Sequence, residues 1–253
     1  RYIGDWSSDV CSSDLKSETN NFIRKWMNAS GKSEKSEKLI SQIDKKSGIS
    51  EITTNPLMLS LLCILYLQEV TLPERRATVY KKCINALLKE WDAERDFERT
   101  SNYSKIDDDI KMRMLSEIAV HYSRNSERYF TMTAITDVVK GIIDKYELSI
   151  GAEDFVKEIF SHHGIIVEAG HEMYGFSHLT FQEFLTAKYF VENNEYAEVI
   201  ENYLRGSSWE EILKLVASET PRADLLIEEL MKYQDLTQYD RIEIRSEEHT
   251  SEL

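Results

Sequence analysis

The chain holds little that would interrupt a helix. Its 253 residues include three prolines and nine glycines, the residues that most often punctuate secondary structure, so frequent tight turns are excluded and the prevailing hydrophobic period is helical. Cysteine is equally sparse, three in all. Cys63 and Cys83 lie among apolar residues in helical patterns and read as reduced, buried core thiols of a cytosolic protein rather than a disulfide framework. No long apolar run is present: the longest, Leu57 to Leu67, falls short of the roughly 20 residues a bilayer demands. Positive charge is the minority sign, with 31 Lys and Arg against 45 Asp and Glu and a net charge of −14. Such acidity favours solubility and argues against a broad nucleic-acid-binding surface.

The two ends stand apart from the rest. Asp5 to Leu15 back-translates to a run resembling a sequencing-library adapter, with Arg1 to Gly4 as its index region, and Arg245 to Leu253 resembles the same adapter family. Residues 1–15 and 245–253 are therefore set aside as foreign to the fold. Each carries −2, which leaves −10 on the 229 residues from Lys16 to Ile244. A chain of that length divides into two or three small units.

Periodicity predicts short helices over Phe22–Asn28 and Lys38–Lys46, an apolar helix opened by Pro56, and a longer one opened by Pro73 with Val79, Cys83, Leu87 and Trp91 as its buried stripe. These form a small bundle over residues 16–100, followed by a polar linker from Arg99 to Ile106. Three further helices are expected over Asp107–Ser123, Thr133–Tyr146 and Ala152–Ser161. The period then shortens through Gly164–Glu168, a turn at Ala169-Gly170-His171, and Met173–Phe176, which is a hairpin signal. Three helices and a hairpin make a winged helix over residues 101–190. Helices over Tyr196–Leu204, Trp209–Ser218 and Arg222–Tyr233 open a further helical domain over 191–244. The expected fold class is thus mainly α, with a single small sheet.

The most informative stretch is Phe176-Ser177-His178-Leu179-Thr180-Phe181-Gln182-Glu183-Phe184. Thr180 and Glu183 have the spacing of a capping box, with Leu179 and Phe184 as its hydrophobic staple. His178 then sits at a rigid corner beside the positive end of a helix, a place suited to meeting a phosphate.

From Phe176 to Tyr189 the sequence resembles the end of the winged-helix domain of NACHT-type signalling NTPases, in which F-x-H-L-[ST]-F-Q-E-[FY] recurs. A second block is similar to the same family: Asn55-Pro56-Leu57-Met58-Leu59, Leu61-Leu62-Cys63, Leu72-Pro73, Arg76-Ala77-Thr78-Val79-Tyr80 and Trp91-Asp92. The resemblance runs from Phe22 to Trp209. It implies that His178 approaches the β-phosphate of bound ADP and latches a closed state, and that Pro56 presents a flat apolar surface to the adenine. It also implies ADP or ATP as the ligand, with Mg²⁺ held by an upstream nucleotide-binding domain of the same chain, homo-oligomerisation on activation, and a separate sensed ligand. The bacterial relatives it most resembles act in antiphage defence, in the cytoplasm.

Other candidates carry less. Gly31-Lys32-Ser33 imitates the end of a phosphate-binding loop, but Trp26 stands where the loop needs glycine, so a solvated loop is expected. With neither a phosphate-binding loop nor an acidic strand for Mg²⁺, this fragment is not expected to be catalytic alone, whereas the resemblance implies an NTPase as its parent. His162 and His163 fit a helix C-terminus and His171 an exposed turn. Asp107-Asp108-Asp109 fits a helix start. Two other classes remain open: a winged-helix DNA-binding regulator, which the acidic helix Ala152–Glu158 disfavours, and a purely structural helical scaffold.

Overall fold

The computed structural model describes residues 12–68, 71–93, 106–162 and 164–233. Contacts divide the chain into two compact units, 1–86 and 87–253, with the division inside a helix.

The first unit contains α1 (Ser12–Ala29), α2 (Ser36–Lys45), a single turn α3 (Ser47–Ser50), α4 (Pro56–Gln68) and the start of α5 (Arg76–Ala93). Ile23, Met27, Leu39, Leu62, Cys63, Val79 and Cys83 are buried in its core. Burial pushes both thiols up to about 12, which leaves them protonated and inert, as the sequence led us to expect. The first helix is longer than Phe22–Asn28 and begins within the segment read as foreign. The remainder of both adapter-like ends, and the linker as far as residue 105, lie outside the described residues.

Local chemistry explains the boundaries. Gly31, at φ +67°, ends α1: its N–H donates to the Asn28 carbonyl at 3.0 Å, and that of Lys32 to Met27 at 2.8 Å. This pair of bonds is a Schellman motif, so the Gly-Lys-Ser sequence serves as a helix stop. Asn55 caps α4, its Oδ1 accepting the Met58 N–H at 3.1 Å, and Pro56 follows as the first helical residue, where its missing N–H is not needed. Pro73, by contrast, does not open α5. Its neighbour Leu72 is strapped to α2, donating its N–H to Gln42 and accepting from Lys46 Nζ, and the helix starts only at Arg76. The buried face of α5 includes Ala77, Tyr80, Ile84 and Leu88 beside Val79 and Cys83, because a strict four-residue stripe drifts around a helix of 3.6 residues per turn. The Trp91 side chain lies outside the described residues.

The second unit contains α6 (Asp108–Arg124), β1 (Phe130–Thr131), α7 (Met132–Lys145), α8 (Ala152–His162), β2 (Ile166–Gly170), β3 (Met173–Phe176) and α9 (Leu179–Asn193). α10 (Tyr196–Arg205), α11 (Glu210–Glu219) and α12 (Ala223–Lys232) complete it, α11 following a 3-10 turn at Ser207–Trp209. The strands pair antiparallel in the order β1-β3-β2. This is a winged helix. The two-residue strand β1 is too short to give a periodic signal and was not anticipated. It lies on β3 because residue 175 is glycine: a Cβ there would come within 2.6 Å of the Arg128 carbonyl oxygen.

The hairpin turn falls at His171 and Glu172, both in the left-handed region, one position later than expected, after an irregularity in register between Glu168 and Gly170. His171 is exposed, as expected. The inner sheet face packs on the helices through Phe130 stacked on Tyr122 at 4.1 Å and Phe160 against Tyr174 at 4.4 Å. α6 and α7 have side-chain caps: Asp107 accepts from the Asp109 N–H at 2.8 Å and Thr131 from Ala134 at 3.2 Å. The acidic run at 107–109 is thus a helix start.

Candidate functional site

Both residues singled out for nucleotide contact stand at helix beginnings, Pro56 in the first unit and His178 in the second. The Pro56 ring is exposed, its backbone fixed by the Asn55 cap and by its carbonyl accepting from the Ser60 hydroxyl at 2.8 Å. It offers an apolar plane on a rigid helical turn.

At the other junction the structure corrects the cap. His178, not Thr180, is the N-cap of α9, in extended backbone geometry at φ −145° and ψ 138°. Its Nδ1 accepts the Thr180 N–H at 3.2 Å and lies 2.8 Å from the Thr180 hydroxyl. Thr180 is therefore inside the helix. Leu179 is the first helical residue and 39% exposed, so it does not act as the staple that the capping-box reading required. The imidazole wins the cap because the chain leaving β3 is tied at Ser177, whose N–H donates to the Ile165 carbonyl at 2.8 Å. That bond leaves His178 as the residue at the turn into the helix.

Desolvation by burial lowers the His178 pKa below its ordinary 6.5, which favours the neutral ring. The preceding Ser177 hydroxyl is buried without a hydrogen-bond partner among the described residues, as is that of Tyr122. Burial raises the Tyr122 phenol, with a further push from the Glu127 carboxylate.

Gln182, which the sequence reading passed over, holds the junction to the rest of the winged helix. It is 5% exposed, and its amide donates to Ser123 Oγ at 3.2 Å and to the Glu127 carbonyl at 3.3 Å. Thr186 meets the same Ser123 hydroxyl at 2.9 Å. Both positions lie on the α9 face that packs against α6, so a polar residue in an otherwise apolar stripe was the available signal. At the C-terminal end of α6, Arg124 donates to both carboxylate oxygens of Glu198 on α10 at 2.6 and 2.7 Å and lies over the Tyr189 and Phe190 rings of α9.

An open cleft of about 470 Å³ lies between α6, α9 and α11, lined among others by Leu179, Gln182, Glu183 and Trp209. His178 stands beside it and does not line it. The outward side of α8 carries Glu153, Asp154 and Lys157, while Phe155, Val156 and Ile159 are buried. With Glu168 and Glu172 exposed on the wing, this face would repel a phosphate backbone. Among the described residues no cluster of His, Cys, Asp and Glu could hold a metal ion, and no helix is long and apolar enough to cross a membrane. The His162 side chain and His163 lie outside the described residues.

The three helices, the β1-β3-β2 wing and the histidine-capped helix that follows define a winged helix-turn-helix protein. Residues 76–190 match the family model of the winged helix-turn-helix domain C-terminal to NACHT, and this part of the chain is similar to that domain. A domain defined by this position implies a NACHT domain earlier in the same polypeptide. No curated protein matches the chain.

Proposed function

We propose that this chain is the C-terminal regulatory part of a NACHT-type signalling NTPase, closing on ADP or ATP held by the upstream domain and acting as a conformational switch. The observation that carries this reading is the N-cap-held imidazole of His178 in a winged helix of the type that follows NACHT. A neutral ring nitrogen bearing a proton donates a hydrogen bond to a phosphate oxygen without forming a permanent ion pair, and the positive end of α9 adds to the attraction. Pro56 contributes an exposed apolar ring for the adenine. Mg²⁺ would be held upstream together with the phosphates, and this chain performs no chemistry by itself.

In the ADP state the two contacts clamp the domains together. Sensing of a ligand elsewhere in the parent, followed by exchange for ATP, releases the winged helix and exposes surfaces for homo-oligomerisation. Such a switch works only if the nucleotides differ in affinity for the two states. Antiphage defence in a bacterial cytoplasm is the setting this reading fits. His178→Ala in the intact parent tests it: we expect oligomers without the sensed ligand, seen as an earlier-eluting species in size-exclusion chromatography. A variant that stays monomeric and silent would count against the latch and favour a structural scaffold.

A further inference from the structure

We infer that Thr180 is the positioning residue for His178, and that its two donors fix the imidazole in the Nε2–H tautomer. The inference rests on the reading of His178 as a phosphate contact for its purpose, but not for its geometry.

Two donors of one residue converge on one ring nitrogen. The Thr180 hydroxyl lies 2.8 Å from His178 Nδ1 and the Thr180 N–H points to the same atom at 3.2 Å. The hydroxyl contact alone is ambiguous, since a hydroxyl can donate to an imidazole nitrogen or accept from it. The backbone group removes that ambiguity. An amide N–H only donates, so Nδ1 must be the unprotonated nitrogen, the hydroxyl must donate to it as well, and the proton of the neutral ring resides on Nε2. Protonating Nδ1 would break the N-cap and set a proton against two donors, which adds to the effect of burial in keeping the ring neutral.

The arrangement also assigns a purpose to Thr180 that the capping-box pattern concealed. A threonine at the second helical position gains nothing as a cap, yet it supplies its side-chain donor and its backbone donor on the same side of the turn. Serine would do the same; valine keeps only the amide; proline, tolerated in a first helical turn, keeps neither. The tautomer decides whether the nitrogen that remains can donate to an anion. With Nε2 protonated it can, and with the proton on Nδ1 it could not.

Long-range ¹H–¹⁵N NMR of the His178 ring in this chain, at pH 7.5 and without nucleotide, tests the assignment. We expect His178 Nδ1 in the unprotonated, pyridine-like range and Nε2 in the pyrrole-like range, unchanged in Thr180→Ser. In Thr180→Pro, checked for folding by circular dichroism, both resonances should move toward intermediate positions as the tautomers mix. A wild-type ring protonated on Nδ1, or a proline variant that keeps the wild-type pattern, would overturn the proposal. The clamp is tested separately by ADP binding to the parent. A loss of tautomer bias in Thr180→Pro with unchanged ADP affinity would leave the positioning role standing and remove the phosphate contact.

Discussion

At the scale of single residues, several side chains do work that their type alone does not announce. Gln182 shows this most plainly, as a buried amide satisfied by Ser123 and the Glu127 carbonyl. Gln182→Leu removes both bonds and leaves the Glu127 carbonyl short of a donor, which should destabilise the winged helix by about 1–3 kcal/mol, measured by urea unfolding. Gly175→Ala places a methyl group 2.6 Å from a backbone oxygen that cannot turn away. Its expected cost is about 1–3 kcal/mol, read as a lower midpoint in the same assay. His178 makes a prediction in pH. Its folded pKa lies below 6.5, so on acidification the unfolded chain takes up the proton first. The ring's contribution to stability is therefore complete above pH 6.5 and is lost as pH falls through the lowered folded value. An NMR titration should place its midpoint below 6.5; a midpoint above would mean an acidic neighbour outweighs burial.

At the scale of elements, several helices end on left-handed residues other than glycine. Among the described residues, α1, α6, α7 and α9 stop in Schellman-type bonds with a left-handed residue, which is glycine in α1. α6 uses Ser126, α7 uses Glu147 and α9 uses Asn194, each strained at positive φ. Glu147→Gly should relieve that strain and stabilise the chain by up to about 1 kcal/mol, whereas Gly31→Ala should cost about 1 kcal/mol; thermal midpoints moving in opposite directions would check both. These stops were illegible beforehand, because serine and glutamate do not signal a left-handed turn. The helices themselves were legible from their apolar period, and the hairpin from its β-branched run. Strand β1 was not, since two residues carry no period. At the start of α9 the sequence pointed to Thr180 as the cap, and the tie between Ser177 and Ile165 gives the histidine that place instead. A pattern of residue types does not reveal that constraint.

For the whole molecule, the charge distribution argues against the DNA-binding alternative. The outward faces of α8 and the wing carry more acid than base, so the chain should not retard duplex DNA even at low salt; salt-sensitive retardation would return the DNA-binding alternative. Pro56 and His178 were both legible as candidates, through the helix start at Asn55-Pro56 and the motif after β3, yet the joint purpose proposed for them requires the domain that would carry the phosphates. The account therefore meets its most direct test in the intact parent, as the dissociation constant for ADP of wild type and of His178→Ala. Loss of one charge-assisted hydrogen bond, worth about 1.5–3 kcal/mol, predicts affinity weaker by about tenfold or more. Equal affinity in the two proteins, with the variant folded, would contradict the account.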